Sequence, residues 1–335
     1  MKQTHYNIII AVLLLVIVGL ALNMHSVPKG PKRADALDDP SRKQLLTWTA
    51  PDTTDIPFTK NGEMIRYGRE LIVHTARYFG PKGSISRAAN GLNCENCHIA
   101  AGTRPFGNNF SKVTAAYPKY NPRRDQYVSV AGRVNGCMQR SMNGKALDST
   151  SREMKAFIAY FKWIGKGVDK STPLFGEGTE KLAFLNRAAD PQKGKLIFMN
   201  NCASCHGSNG AGKLAADSTE YLYPPLWGRY SYNRGAGLFR LSKFASYVKN
   251  NMPFGTTYHN PVLTEEQAWD VAAFVDSQPH PPFKEVAKDW PDISEKPYDD
   301  PLGPYADTFP EAQHKYGPFP GIIKGELAKS KINRN

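Results

Sequence analysis

Two pentapeptides carry the strongest chemical signal in this chain, Cys94-Glu95-Asn96-Cys97-His98 and Cys202-Ala203-Ser204-Cys205-His206. Cys-x-x-Cys-His is the attachment pattern of c-type haem. Two thiols add to the haem vinyl groups and the adjacent histidine supplies an axial iron ligand. Cys94, Cys97, Cys202 and Cys205 are therefore the predicted attachment residues, with His98 and His206 as the proximal ligands. Zinc uses similar donors, but its usual spacing places the histidines farther along the chain, and a Cys pair with an adjacent His closes a tetrahedron poorly. A thioredoxin-like motif would lack the histidine and would not come twice. The spacing predicts two covalently bound haem c groups.

Each iron needs a second axial partner or an open position, and axial ligands move haem potentials over ~0.8 V. For the second haem the candidate is Met252, in Asn251-Met252-Pro253. A thioether raises the potential and suits an electron carrier. Met199 stands too close to the attachment motif to reach the opposite face. The bland alternative for Met252 is a packing methionine, and Lys249 is a nearby amine that could compete. For the first haem the informative residue is Cys137, the one of five cysteines left once the haems are attached. An unpaired cysteine in an oxidising compartment is either buried and inert or chemically employed. The surrounding Val134-Asn135-Gly136-Cys137-Met138-Gln139-Arg140-Ser141-Met142-Asn143-Gly144 is polar and glycine-bounded, unlike a core segment. A short helix from Cys137 to Asn143, closed by Gly144, would put Cys137, Arg140 and Ser141 on one face, where a guanidinium favours thiolate. His74, Met138 and Met142 are the rival ligands.

Arg123, Arg124, Arg133 and Arg140 crowd around Cys137 in sequence, Arg104 follows the first motif, and the formal net charge is +13. No Lys/Arg block or nucleic-acid motif accompanies that charge, so it points to anions or acidic partners rather than nucleic acid. A solvated basic face is the alternative for any one arginine.

These residues must be positioned by helices. A first helix fits Glu63 to Tyr78, ahead of the first motif. Thr150-Ser151-Arg152-Glu153 reads as a capping box opening a helix with Met154, Phe157, Ile158, Phe161 and Ile164 on one face. Asp190-Pro191 is an N-cap with proline at the first helical position, leading into Cys202. Tyr223-Pro224-Pro225-Leu226 is a rigid turn, Leu238 to Asn250 reads as a helix, and Thr264-Glu265-Glu266-Gln267 is a second capping box. No strand pattern competes. The fold class is all-α: two tandem cytochrome c-type domains, 56–180 with the active-site haem and 186–283 with the electron-transfer haem. The 335 residues and 41% apolar content suit two modest domains. Residues 284–335 form a tail with no trusted periodicity. Ile8 to Leu22 are unbroken apolar residues, glycine and alanine after Lys2, so 1–25 reads as a signal peptide or membrane anchor and 26–55 as a linker. Gly19-Leu20-Ala21 offers small residues for cleavage. Both readings place the remainder in the periplasm, soluble or anchored.

The order Cys-x-x-Cys-His, Arg-x-Asn-Gly-Cys-Met-x-Arg-Ser-Met-Asn-Gly over 133–144, second Cys-x-x-Cys-His, then Met-Pro resembles the dihaem thiosulfate dehydrogenases over roughly residues 55 to 280. A weaker kinship is with the haem subunit of the Sox sulfur-oxidising system, which also uses a cysteine haem ligand. The resemblance implies joining of two thiosulfates into tetrathionate with release of two electrons, or the reverse. It further implies His98/Cys137 ligation at the active-site haem, Met252 at the exit haem, and anion-binding arginines at Arg123 and Arg133. In some relatives a lysine immediately precedes the methionine; here that position is Asn251. With Arg140 and Ser141 beside Cys137, the expected catalytic set is Cys137, Arg123, Arg133, Arg140 and Ser141. The expected partners are thiosulfate or tetrathionate and an electron-carrier protein, soluble or membrane-bound. The rival functions are a plain dihaem electron carrier, which leaves Cys137 and its arginines without a role, and a Sox-type protein acting on carrier-bound sulfur.

Overall fold

Helix pairing explains why the two halves resemble each other. In the computed structural model, residues 46–325 are described, so the apolar run Ile8 to Leu22 lies outside the described residues. The α-helices of five residues or more wholly within them are α1 (Lys60–Val73), α2 (Thr75–Phe79), α3 (Val130–Arg140), α4 (Arg152–Ile164), α5 (Pro191–Asn201), α6 (Leu241–Asn251), α7 (Glu265–Asp276) and α8 (Glu311–Tyr316). None of the helices among these residues is long and apolar enough to cross a membrane.

In the first half α1 packs against α4, and in the second α5 packs against α7. A glycine sits at each crossing. A Cβ at Gly68 would lie 2.0 Å from the Ala156 carbonyl oxygen and 2.9 Å from Tyr160 Cβ; one at Gly194 would lie 1.9 Å from the Asp270 carbonyl oxygen and 2.8 Å from Phe274 Cβ. The same close approach, made by the helix ahead of each attachment motif, is the structural form of the tandem repeat. Around it gather two cores, one with Leu71, Ile72, Met138, Phe157 and Tyr160, the other with Phe198, Phe244, Trp269 and Val271.

Several boundaries differ from those the sequence suggests. The first helix breaks at His74 (φ −122°, ψ 39°) into α1 and α2. The break frees the Ala76 N–H for the Asn93 side chain at 2.8 Å, satisfying a first-turn donor with a residue of the attachment loop. α4 is capped by Ser151, whose hydroxyl accepts from Met154 N, while Thr150 turns to Asp148. The Asp190 cap and the Thr264–Gln267 box form as expected. Three short two-stranded ladders accompany the helices. One of the two antiparallel ladders, Lys119–Asn121 with Gln126–Val128, carries Arg123 and Arg124 in its turn.

The tail, unreadable from periodicity, packs back on both halves. Phe319 and Ile322 enter the second core. Asp299 is fully buried against Arg240, and Trp290 N donates to the Arg123 carbonyl at 2.9 Å.

Candidate functional site

The first attachment loop is held from α2. Thr75 Oγ1 accepts from Cys94 N at 2.9 Å, and Asn93 and Asn96 cap the 3-10 turn Cys94–Asn96 reciprocally. His98 Nδ1 meets the Asn108 carbonyl oxygen at 2.6 Å. That contact places the proton on Nδ1 and leaves Nε2 for a metal. Phe110 lies against the His98 ring, with centroids 4.4 Å apart. The cavity in front of this histidine is lined by Cys94, Cys97, Phe157, Phe161, Cys137 and Ser141, among others.

Cys137 stands in the last turn of α3, which begins seven residues earlier than the short helix expected from Cys137 to Asn143. The guanidinium beside it is accordingly that of Arg133, one turn back, and not Arg140. Arg133 Nη1 donates to Cys137 Sγ at 3.0 Å. Burial pushes the thiol up, but the Arg133 charge and a hydrogen bond with His98 outweigh it and hold the thiol at about 6. The same bond puts Cys137 within reach of His98. Of the rivals, Met138 and Met142 are buried and also line the cavity. His74 does not line it; its Nδ1 is 3.0 Å from Glu220. Ser141 caps α3, its N–H donating to the Cys137 carbonyl.

Arg123 and Arg140 depart from the expected substrate cluster. Neither lines the cavity. Arg140 makes a two-pronged contact with Asp289, at 2.7 and 2.5 Å. Arg123 Nε lies 2.9 Å from the same carboxylate, at ion-pair distance but without hydrogen-bond alignment. Both also donate to the Gly235 carbonyl, at 3.0 and 3.3 Å. Two buried guanidiniums need a counter-charge more than a solvent-exposed pair does, and the tail supplies it. Asp289 carries no sequence signal because it meets partners far away in the chain. Tyr117 is a second residue that spacing does not reveal; it lines the cavity and hydrogen-bonds Arg133.

The second site repeats the first. Cys202 caps the C-terminus of α5, and His206 ends the turn Ala203–His206. His206 Nδ1 meets the Pro224 carbonyl oxygen at 2.8 Å, so the Pro-Pro turn does for His206 what Asn108 does for His98. Met252 is the C-cap of α6 and packs on the second core. Met199 is 46% exposed on α5, facing away from that role, and Lys249 is buried and partnered.

None of the described cysteines is in a disulfide. Among the described residues no group of three or more His, Cys, Asp or Glu is arranged to hold a metal ion by itself. Two free thiols and one oriented imidazole per site fit a porphyrin-held iron, which asks the protein only for axial ligands and attachment.

Residues 84–169 match the family model described as SoxA/TsdA, cytochrome c domain, and residues 191–279 match cytochrome c. A thiosulfate dehydrogenase of Psychrobacter arcticus is 32% identical over 275 residues, covering 82% of this chain and 80% of that protein. The chain belongs to the thiosulfate dehydrogenase family. A member from Allochromatium vinosum is 34% identical over 245 residues, 72% of this chain and 87% of that one. A solved structure, the thiosulfate dehydrogenase TsdBA of Marichromatium purpuratum in its as-isolated form, superposes with a TM-score of 0.63 at 31% identity, covering 69% of this chain and 49% of that longer one. As in the family, the chain is built of two cytochrome c domains and carries two covalent c-type haems. The family-specific match falls on the domain that holds Cys137, whereas the other domain matches cytochrome c in general.

Proposed function

We propose that this chain joins two thiosulfates into tetrathionate at Cys137, with His98 and Cys137 as the axial pair of the first haem and His206 and Met252 as that of the second. The observation that carries the reading is the 3.0 Å contact between Arg133 and a half-buried cysteine thiol within reach of His98. A plain electron carrier has no use for an activated thiol in its haem cavity. The haems, when bound, supply two one-electron acceptors for the electrons that S–S bond formation releases. The protein supplies the thiolate and the cations. Cys137 thiolate bonds to the outer sulfur of one thiosulfate, giving a cysteinyl S-thiosulfonate and two electrons. The outer sulfur of a second thiosulfate then attacks the thiosulfonate sulfur that Cys137 holds. The Cys–S bond breaks, tetrathionate leaves and the thiolate returns. Two dianions at ~4 Å in water repel by about 4 kcal/mol, because the charge product is four. Arg133 offsets part of that repulsion where the bond forms.

Export to the periplasm, through the segment 1–25, and delivery of electrons to a soluble or membrane-bound carrier complete the proposal. Support comes from the covalent haems, which suit an open extracytoplasmic compartment, and from the apolar run near the N-terminus. Steady-state turnover of the purified dihaem protein, first with thiosulfate and an artificial acceptor, then with tetrathionate and a reductant, tests the activity. Turnover of neither leaves the electron-carrier reading in its place.

A further inference from the structure

Resting on the preceding reading of Cys137 as the reactive thiol, we propose that Asn233, in the second cytochrome c domain, is a positioning residue for the active site of the first. It holds the last turn of α3, and with it Cys137. An α-helix leaves its last four carbonyls without partners of its own, and in α3 these belong to Cys137, Met138, Gln139 and Arg140. The chain just beyond closes the first two. Met142 N–H donates to the Cys137 carbonyl and Gly144 N–H to the Met138 carbonyl, each at 2.9 Å. The other two are met from the second domain. Asn233 Nδ2 donates to the Gln139 carbonyl at 2.8 Å. Asn233 N–H donates to the Arg140 carbonyl at 3.1 Å, which also accepts from Asn143 N–H at 3.3 Å.

Asn233 is 1% exposed, and its whole side-chain amide is engaged. Nδ2 donates a second bond to Asn143 Oδ1 at 2.9 Å, and Oδ1 accepts from Gly235 N–H at 3.0 Å, a turn that fixes the asparagine on its own loop. On the facing side Asn143 stands at φ +44°, a left-handed conformation that asparagine tolerates. Gly144 follows it so close to Ala88 that a Cβ would lie 1.8 Å from the carbonyl oxygen. The Asn-Gly end of the cysteine motif, for which the sulfur chemistry has no use, is one jaw of a clamp, and Asn233 is the other. The two segments meet again at Asn90, whose Nδ2 donates to the Ser231 carbonyl at 2.9 Å and to the Ser141 carbonyl at 3.3 Å. The sulfur that Arg133 meets at 3.0 Å is therefore carried on a turn gripped by the other domain. In a site that depends on placement, a shift of about 1 Å costs on the order of 100-fold in rate.

The test uses the full chain with both haems attached. Asn233→Ser keeps an oxygen that can accept from Gly235 N–H, but its hydroxyl is too short to reach Gln139 and Asn143. Asn233→Asp keeps the shape and the turn and puts a carboxylate where both donors were. In each, kcat for thiosulfate should fall roughly 10- to 100-fold with KM within about twofold. The thiolate-type signal of the oxidised protein in electron paramagnetic resonance should give way in part to a second form. Gly194→Ala, which loosens the second domain at the α5–α7 crossing, should lower stability and leave both the signal and kcat as in the wild type. In the unsubstituted protein, stepwise denaturation should remove the thiolate signal no later than the methionine-ligation absorbance of the second haem. Wild-type kcat and signal in both Asn233 variants overturn the proposal. So does an equal loss in Gly194→Ala, or a thiolate signal that outlasts the fold of the second domain. Failure of the functional reading shows elsewhere, as a wild-type protein that lacks the thiolate signal and turns over neither thiosulfate nor tetrathionate.

Discussion

Arg133 and Cys137 stand one helical turn apart, and a guanidinium at i−4 is what brings an N–H within 3.0 Å of the sulfur. The consequence is an anionic sulfur and a cation in the same place. Arg133→Ala removes one charge-assisted contact, worth about 1.5–3 kcal/mol, so kcat/KM for thiosulfate should fall roughly 10- to 150-fold. Cys137→Ala should abolish turnover while both haems stay attached, and the thiolate-type signal of the oxidised protein in electron paramagnetic resonance should vanish. An unchanged spectrum would move the sixth ligand to Met138 or Met142. At the other haem, reduced-state NMR should show strongly upfield-shifted methionine methyl protons that disappear in Met252→Ala. Survival of those resonances would hand that iron to another residue.

Helices carry these residues to their places, and two helix-scale features make the positions costly to disturb. Gly194 on α5 touches the α7 backbone so closely that a methyl must push the helices apart. Overpacking of this kind costs about 1–3 kcal/mol. Gly194→Ala should therefore lower the unfolding midpoint of the holoprotein in denaturant, and a wild-type midpoint would mean the crossing can slide. The end of α3 is anchored by Asp289, whose side chain is 4% exposed between Arg123 and Arg140. Asp289→Asn leaves two buried guanidiniums without their counter-charge, a loss of about 3–5 kcal/mol for broken buried pairs. α6 links the two haem sites directly. Tyr247 donates to the Asn96 carbonyl oxygen in the first attachment loop at 2.6 Å, and Met252 closes the same helix.

Across the whole molecule, side chains of one half satisfy polar groups of the other. Glu220, in the second half, pairs with His74 at 3.0 Å and Arg77 at 2.7 Å and accepts from Asn93 Nδ2 at 3.1 Å. Burial pushes its carboxyl up, yet the hydrogen bonds from His74 and Asn93 and the nearby charges outweigh burial and hold it below the ordinary 4.5. A carboxyl depressed in the folded state contributes its stability above the unfolded value and loses it as pH falls through the folded one. The contact between the halves should therefore weaken below about pH 4.5, and Glu220→Gln should remove that pH dependence. Thermal unfolding followed separately at the two haems would show it as two midpoints drawing apart. Coincident midpoints throughout would assign the coupling to the tail instead.

The chemistry of attachment was legible in the chain by itself. Cys-x-x-Cys-His is a local pattern, because the thiols and the imidazole must reach one haem from adjacent residues, and the caps at Asp190 and Thr264 are local for the same reason. Cys137 stood out by arithmetic, as the cysteine left over. The partners of these residues are not local. Which arginine touches the thiol depended on where α3 begins, and the polar motif around Cys137 concealed a helix that starts at Val130. The pairing of Arg123 and Arg140 with Asp289 needed the tail to fold back, and a tail with no periodicity announces no destination. The orienting carbonyls of Asn108 and Pro224 are backbone atoms that any residue could supply, so no sequence pattern marks them. Residue types fixed what could react; charge pairing between distant segments, visible only in the tertiary structure, decided which arginines are drawn away from Cys137 to Asp289.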